Sequence, residues 1–351
     1  DWDQVFQSLG FKVSLTDQPP TDQPAGNSRL VFALKQSAFD KLKPDSQTGI
    51  GRRFYVNVTP ILTKAEKSFL QGKHLDDLPV EGRTKPFHVM EYQSKGIKRL
   101  GVLRMDLDNL GKIFSKGLGN KASLSRIASL SLAVSIFFDG WVEVIAERRN
   151  SQNKGNPERG DLLYSIYSGG DDLFFVGAWD EVIELAREIR ADLEKFTGGH
   201  PAIHVSAGVA LVSGKYPLAQ AAEDAKHAEE QAKALTWSDN QDQFREKDAI
   251  CFLGQALPWM KFGLDDCSKT GFGNAHALMH QLCEVVEKNA GPRSLLNRLS
   301  IFYEQYREAE VKRLQTQAAS MHHVRPKTLW GPWHWRAFYT LTRLSKLREG
   351  N

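Results

Sequence analysis

The stretch Leu163-Tyr-Ser-Ile-Tyr-Ser-Gly-Gly-Asp-Asp-Leu-Phe-Phe-Val176 constrains this chain more than any other. Two runs of aromatic and branched residues flank Ser168-Gly-Gly-Asp171, which is the pattern of a β-hairpin closed by a tight turn. Glycine enters such a turn freely because a positive φ costs it no Cβ clash. Two adjacent carboxylates, Asp171 and Asp172, then stand at the mouth of the second strand. Side by side they repel unless a cation holds them. Mg²⁺ bound through one or two carboxylates and the phosphates of a nucleotide is the natural candidate. Taken alone, the motif reads first as a hairpin turn with solvated acids.

Neighbouring segments give the hairpin a setting. Ile97–Met105 reads as a buried strand that runs into Asp106-Leu-Asp-Asn-Leu-Gly111. Apolar residues at Leu124, Ile127, Leu130, Val134, Phe137, Trp141 and Ile145 step by three and four, one face of a long helix. After the hairpin, Asp180 is placed as an N-cap for a helix to Phe196, spaced through Val182, Leu185, Ile189 and Leu193. A strand over 203–212 follows, then an alanine-rich helix opened by Pro217 and running to Leu235, then a short strand at Ala249–Leu253. The order from 97 to 212 is β-α-β-β-α-β, the ferredoxin-like split arrangement, in an α+β chain. That topology brings the end of the first strand, with Asp106, towards Asp171 and Asp172. Three acids converging from separate segments favour a metal site over solvated turn residues. His204, on an alternating strand, reads as a core or edge histidine.

The remainder divides around this block. Residues 1–95 read as a connecting region, with turn chemistry at 17–27 and strands at Arg29–Leu34 and Arg53–Val58. Residues 96–260 form the hairpin-bearing domain. Residues 261–351 read as a helical C-terminal domain, with helices at 276–288 and 294–317 and an aromatic run at 330–339. From 288 to 351 there are 12 basic residues and 4 acids, a surface suited to RNA or to a protein that binds RNA. The whole chain, 351 residues, carries a net charge of only +4. That permits an anionic partner without demanding one. Three cysteines without a CxxC pair argue against a disulfide framework or a zinc site. No uninterrupted apolar run reaches the roughly 20 residues of a membrane span, and the start lacks a signal-peptide pattern, so the cytoplasm is the default location and no membrane partner is expected. A first residue of Asp hints at a piece of something longer or a processed chain.

Met105-Asp-Leu-Asp-Asn-Leu-Gly111, Ser168-Gly-Gly-Asp-Asp172 with Leu173-Phe-Phe-Val-Gly177, Val205-Ser-Ala-Gly208 and Ala225-Lys-His-Ala-Glu-Glu-Gln-Ala-Lys233 together resemble one family. It is the large, polymerase-like subunit of type III CRISPR effector complexes, of the Csm type, matched from about residue 54 onwards. The resemblance implies a GGDD palm domain that makes cyclic oligoadenylates from ATP when the complex binds target RNA. By motif, Asp106, Asp171 and Asp172 would be metal-linked acids holding Mg²⁺ or Mn²⁺, with Asp171 and Asp172 catalytic. Ser168, Gly169, Gly170, Asn109 and Lys233 would contact nucleotide. Lys233 matches the helix lysine that reaches the triphosphate in related GGDEF cyclases; an exposed helix lysine is the plain alternative. Implied partners are guide RNA, target RNA, other effector subunits and a chain carrying a first palm. Relatives usually have an HD nuclease domain, a first palm and a cysteine-rich zinc site, whereas this sequence has no His-Asp dipeptide and no CxxC. DNA cleavage is therefore not expected of it. Competing readings are a GGDEF-class diguanylate cyclase, disfavoured by Leu173 after Asp172, and a non-catalytic scaffold that holds RNA and partner subunits.

Overall fold

The structure is a computed structural model describing residues 2–16, 28–34, 36–53, 55–71, 73, 75, 80–238, 244–264 and 276. It is mixed α+β, and the chain divides into two compact units, Asp1–Tyr55 and Val56–Asn351. The first unit contains helix α1 (Trp2–Ser8), strand β1 (Arg29–Ala33), helix α2 (Gln36–Phe39) and strand β2 (Thr48–Arg52). β1 and β2 pair in parallel, Arg29 opposite Thr48 and Ala33 opposite Arg52. The strand expected at Arg53–Val58 does not form: residues 55–58 carry no ladder. Val56 and Val58 are instead buried in the core of the second unit. Ser165 donates its backbone N–H to Val58 O and accepts Val58 N–H on its hydroxyl, so side-chain chemistry replaces a ladder there.

In the second unit, helices α3 (Lys64–Leu70) and α4 (Phe87–Gln93) precede strand β3 (Leu100–Leu107). A short helix α5 (Leu110–Lys112) and a continuous helical run follow: α6 (Leu124–Ser135), a π-turn segment (Ile136–Trp141) and α7 (Val142–Gln152). Then come β4 (Leu163–Gly169), β5 (Asp172–Ala178), α8 (Trp179–Phe196), β6 (Val205–Val212) and α9 (Leu218–Lys233). Short strands β7 (Thr236–Ser238), β8 (Phe244–Glu246), β9 (Ala249–Phe252) and β10 (Gln255–Pro258) and helix α10 (Trp259–Phe262) complete the described part. The six-stranded sheet runs β10-β9-β6-β3-β5-β4, with β3 central and antiparallel to both β5 and β6. The expected C-terminal helices and aromatic run lie outside the described residues.

Strand alternation divides the sheet into two apolar faces. Leu103, Met105, Leu107, Leu173, Phe175, Val205 and Ala207 join one core with Phe137, Val142, Ile145, Val182 and Ile189 from the helices. Leu100, Val102, Phe174, Val176 and Val212 join a second with Met90, Ala221 and Ala225. Each fully buried large side chain contributes about 1.5–3 kcal/mol, so both faces are firmly covered.

Three local expectations shift. Asp180 is not the N-cap of α8: the helix starts two residues earlier than expected, at Trp179 with Ala178 as its N-cap, and Asp180 accepts Lys95 N–H and binds Arg159. Pro217 is the N-cap of α9 rather than its first helical residue. The helical run Leu124–Gln152, 29 residues, meets the length and composition of a membrane span, where no such run was expected. Serines interleaved with leucine in α6 break the apolar run without adding charge. Its second half buries Phe137, Phe138, Val142 and Ile145 against the sheet.

Candidate functional site

The hairpin expected at 163–176 is present. β4 and β5 pair with Gly169 opposite Asp172, leaving Gly170 and Asp171 as a two-residue turn. Gly170 has φ +70°, the left-handed value that favours glycine at the first central position. Asp171 O accepts Leu107 N–H at 2.9 Å, which ties the turn to the end of β3.

On β3, Val102, Arg104 and Asp106 face the α9 side, and the apolar pattern of that side ends at Arg104. Asp106 stands directly opposite Asp172 on β5 and opposite Ser206 on β6. Above them, α9 lies unusually close to β6. A Cβ on Gly208 would come within 2.1 Å of Glu229 N and 2.3 Å of Ala225 O, so only glycine admits the helix at this height. The close approach delivers the last turn of α9 to the strand ends. Lys233 Nζ donates to Asp106 Oδ2 and, at 2.7 Å, to Glu229 Oε1. Arg104 lies between Glu229 (Nε to Oε2, 3.6 Å) and Asp172 (Nη2 to Oδ2, 3.9 Å). Tyr167 donates its hydroxyl to Asp172 Oδ2. Arg104, Asp106, Asp172, Glu229, Lys233 and Tyr167 thus form one charged cluster where the apolar face gives out.

Burial pushes the Asp106 carboxyl up to about 6; Lys233 opposes the shift, and the negative charges of Asp171 and Glu229 add to it. Lys233 is held above its usual range: burial works against its charge, but the hydrogen bonds it donates to Asp106 and Glu229 outweigh it. Burial, then the bond to Asp172, pushes Tyr167 up to about 12.

Not every expected nucleotide contact joins this cluster. Asn109 sits in the left-handed region at the start of α5, φ 58°, with Oδ1 accepting Lys247 Nζ at 3.1 Å. The Ser168 hydroxyl donates to Phe138 O at 2.7 Å, and Gly170 N–H donates to Asp139 Oδ1 at 3.2 Å. The expected role of Gly169 and Gly170, room for a nucleotide, is therefore joined by a structural one. A Cβ on Gly169 would lie 3.0 Å from Asp139 Oδ1.

Asp108 is fully buried beyond the strand end. Its Oδ2 accepts Ser206 Oγ–H at 2.8 Å and Asp248 N–H at 3.2 Å and lies 2.7 Å from His204 Nδ1. His204 precedes β6 rather than lying on it, and it is engaged with the Asp108 carboxylate.

Among the described residues, no group of three or more His, Cys, Asp or Glu side chains is placed to hold a metal ion. The donor chemistry nevertheless fits a divalent cation that brings its own phosphates. Such a cation needs one or two carboxylates from the protein, and Asp106 and Asp172, directly opposite each other on β3 and β5, are groups of that kind. Lys233 here occupies the Asp106 oxygen that a cation would take.

Arg104, Glu229, Tyr167, Asp139 and Asp108 were not singled out from the sequence. Signals existed for two of them. An arginine two residues before an acid within an apolar strand must share the acid's face. A glutamate four residues before a helix lysine must share the lysine's. Asp139 carried no local signal, because its contact to Gly170 spans 31 residues.

Residues 99–245 match the Cas10/Cmr2 family model of the second palm domain. Among curated relatives, the chain is 35% identical over 171 residues to a protein of Methanocaldococcus jannaschii, covering 48% of this chain and 21% of that protein. It is 39% identical over 150 residues to one of Mycobacterium tuberculosis (41% and 18%) and 35% identical over 228 residues to one of Streptococcus thermophilus (62% and 25%). Each is named a CRISPR system single-strand-specific deoxyribonuclease Cas10/Csm1 of subtype III-A. The chain spans about a fifth to a quarter of the length of these relatives. Its fold is similar to that of a Csm1–Csm4 cassette in complex with cA3 (TM-score 0.55, 19% identity, 90% of this chain and 43% of that one). The same cassette type in complex with cA4 gives a TM-score of 0.52 at 19% identity, covering 91% and 44%. With Asp106 and Asp172 paired across adjacent strands of the matched segment, residues 99–245 are similar to the Cas10/Cmr2 second palm domain, and the chain is similar to part of the Cas10/Csm1 proteins of subtype III-A.

Proposed function

We propose that this chain is the ATP-binding palm portion of a type III effector large subunit and takes part in making cyclic oligoadenylate from ATP. The observation that carries the reading is the cluster at the strand ends: Asp106 opposite Asp172, with Lys233 reaching Asp106 from a helix that Gly208 lets in. The strand order β6-β3-β5-β4 within the sheet supports a ferredoxin-like palm. The cA3 and cA4 named for the similar cassettes, and the ATP named for another, support nucleotide as ligand.

In this reading Asp106, Asp171 and Asp172 hold a divalent ion, Mg²⁺ or Mn²⁺. Bound there, it supplies charge neutralisation at phosphate oxygens and a lowered pKa for the attacking ribose hydroxyl. The chain's own residues do the rest. Lys233, released from Asp106 when the triphosphate enters, places its ammonium on phosphate oxygens. Arg104 and Tyr167 hold Asp172 in one orientation. Gly170 gives the turn its left-handed step, while Ser168 and Asn109 are proposed as further nucleotide contacts once released from Phe138 O and Lys247. A hydroxyl attacking an α-phosphorus in line needs two nucleotides at attack distance. The second is held by a first palm, on a partner chain or elsewhere in the complex. Guide and target RNA, other effector subunits such as Csm4, and the basic C-terminal segment complete the proposed assembly, in the cytoplasm. The proposed division is a linking region over 1–95, the palm over 96–260 and a helical domain over 261–351. The deoxyribonuclease activity in the relatives' name is not carried over, since the matched stretch is the palm and the sequence contains no His-Asp dipeptide.

The test is an assay of the purified complex with ATP or GTP, with and without target RNA. RNA-dependent cyclic oligoadenylate from ATP, lost in Asp171→Ala/Asp172→Ala while RNA binding persists, is the expected result. A cyclic dinucleotide from GTP would assign a diguanylate cyclase instead. No product from either nucleotide would leave a scaffold.

A further inference from the structure

The helical run 124–152 leaves α-helical pitch for one segment only, Ile136–Trp141, where it widens into a π-turn. Such widening breaks the regular hydrogen-bond ladder, and where it occurs it often serves a site. Here the widened turn is anchored from behind. Phe137, Phe138 and Gly140 are buried, and the two phenylalanine rings meet edge to face at 5.4 Å. In front it touches three consecutive residues of the hairpin. Phe138 O accepts the Ser168 hydroxyl at 2.7 Å, Asp139 Oδ1 lies 3.0 Å from where a Gly169 Cβ would be, and the same oxygen accepts Gly170 N–H at 3.2 Å. Straightening this segment to α pitch would turn Asp139 by about 100° per residue of register, away from the turn.

We infer that the π-turn segment is a clamp that fixes the Ser168–Gly170 turn, with Asp139 as its positioning residue, and so sets where Asp171 and Asp172 stand. The inference rests on the reading that these two acids serve nucleotide chemistry. Asp139 does not touch the reacting atoms in this account. A negative charge beside the turn repels phosphate, so its part is to hold the Gly170 amide and thereby aim the two carboxylates that follow. The Gly170 N–H is spent on the clamp, leaving the carboxylates and Lys233 to meet the triphosphate.

The test uses the full chain in its assembled complex, comparing wild type with Asp139→Asn, Asp139→Ala and Ser168→Ala. Amide exchange at Gly170 reads the clamp itself, and kcat against KM for ATP reads its consequence. Asp139→Asn keeps an oxygen acceptor and is expected to match wild type on both. Asp139→Ala is expected to speed Gly170 exchange and to lower kcat by about tenfold to a hundredfold, the scale of a small misplacement of reacting groups. KM for ATP should rise by less than kcat falls, because Lys233, carried on α9, stays in place while the carboxylates of the turn lose their aim. Ser168→Ala is expected to show a weaker form of the same pattern. Unchanged exchange in Asp139→Ala overturns the clamp. Faster exchange with wild-type kcat, in a complex that Asp171→Ala/Asp172→Ala inactivates, overturns the positioning role. A wild-type complex that makes no product overturns the functional reading instead, and with it the positioning role, while the exchange arm still decides the clamp.

Discussion

Replacing Gly208 with alanine should unseat α9 and disarm the charged cluster together. The added Cβ would lie 2.1 Å from Glu229 N, 2.3 Å from Ala225 O and 2.7 Å from Ala228 C, all backbone atoms that no rotamer change can move aside. Ordinary contact begins near 3.5 Å, so the helix must lift by about 1 Å or more. Overpacking of this kind costs about 1–3 kcal/mol, and a clash against main chain belongs at the upper end. For a unit of this size that corresponds to a Tm lower by roughly 5–10 °C. The same displacement carries Lys233 off Asp106 and Glu229 off Arg104, because both contacts hang from the last two turns of α9. Thermal unfolding of the full chain, paired with titration of Mg-ATP, would read both effects. ATP binding should weaken even at temperatures where the variant is fully folded. A Gly208→Ala chain with wild-type Tm and wild-type ATP affinity would refute the close approach and the placement of Lys233 that depends on it.

Four further outcomes follow from the same contacts. Asp171→Ala/Asp172→Ala should abolish product while RNA binding stays intact; wild-type yield from that variant ends the metal assignment. The folded-state pKa of Asp106, about 6, lies above its ordinary 3.8, so between these values the folded chain binds more protons than the unfolded one. Its stabilising contribution is complete below about pH 4 and is lost as pH rises through 6, at most about 3 kcal/mol; nucleotide-free Tm measured from pH 4.5 to 7.5 should lose this slope in Asp106→Asn, and an unchanged slope would refute the burial. Lys85, with Nζ donating to Glu66 Oε1 (2.5 Å), Gln93 Oε1 (3.0 Å), Asp161 O (2.6 Å) and Arg159 O (3.3 Å), should cost about 3–5 kcal/mol when replaced by alanine, read by urea unfolding, because Glu66 would remain buried without its cation. These 351 residues assayed alone should turn ATP over little, with a rate rising more steeply than concentration if two copies face each other and supply two pockets; efficient synthesis by a dilute monomer would refute the need for a second pocket.

Much of the palm was legible because its strands are buried and bounded. Ile97–Met105, the hairpin and Ile203–Val212 each appear within a few residues of their expected ends, since apolar runs closed by Gly and Asp leave few other places to stop. The strand expected at Arg53–Val58 failed for the opposite reason. Its alternation is real, and Val56 and Val58 are buried, but the neighbouring edge is met by Ser165 hydrogen bonds instead of a ladder. A pattern records which side chains go inside, not which backbone they pair with.

The site was legible where chemistry and strand pairing coincide, and illegible where contact depends on helix height. Asp106 opposite Asp172 follows from the antiparallel register once the β-α-β-β order is accepted. Lys233 over Asp106 does not, because it requires α9 to sit at backbone contact over Gly208, and one glycine in Val205-Ser-Ala-Gly208 does not announce that. Nor does any local pattern place Asp139 against Gly170, since the register of that contact is set by a π-turn whose sequence, Ile-Phe-Phe-Asp-Gly-Trp, reads as ordinary helix. These two long-range adjustments act on opposite sides of the same hairpin and strand. One lowers a cation onto the acids from above the sheet, and the other fixes the turn that carries them. An apolar face continued to the strand ends would close both gaps and gain stability. The chain instead ends that face at Arg104 and partly buries charge there, and that burial pushes Asp106 towards neutrality. Charge kept at that cost is what a site for a polyanionic ligand and its cation requires.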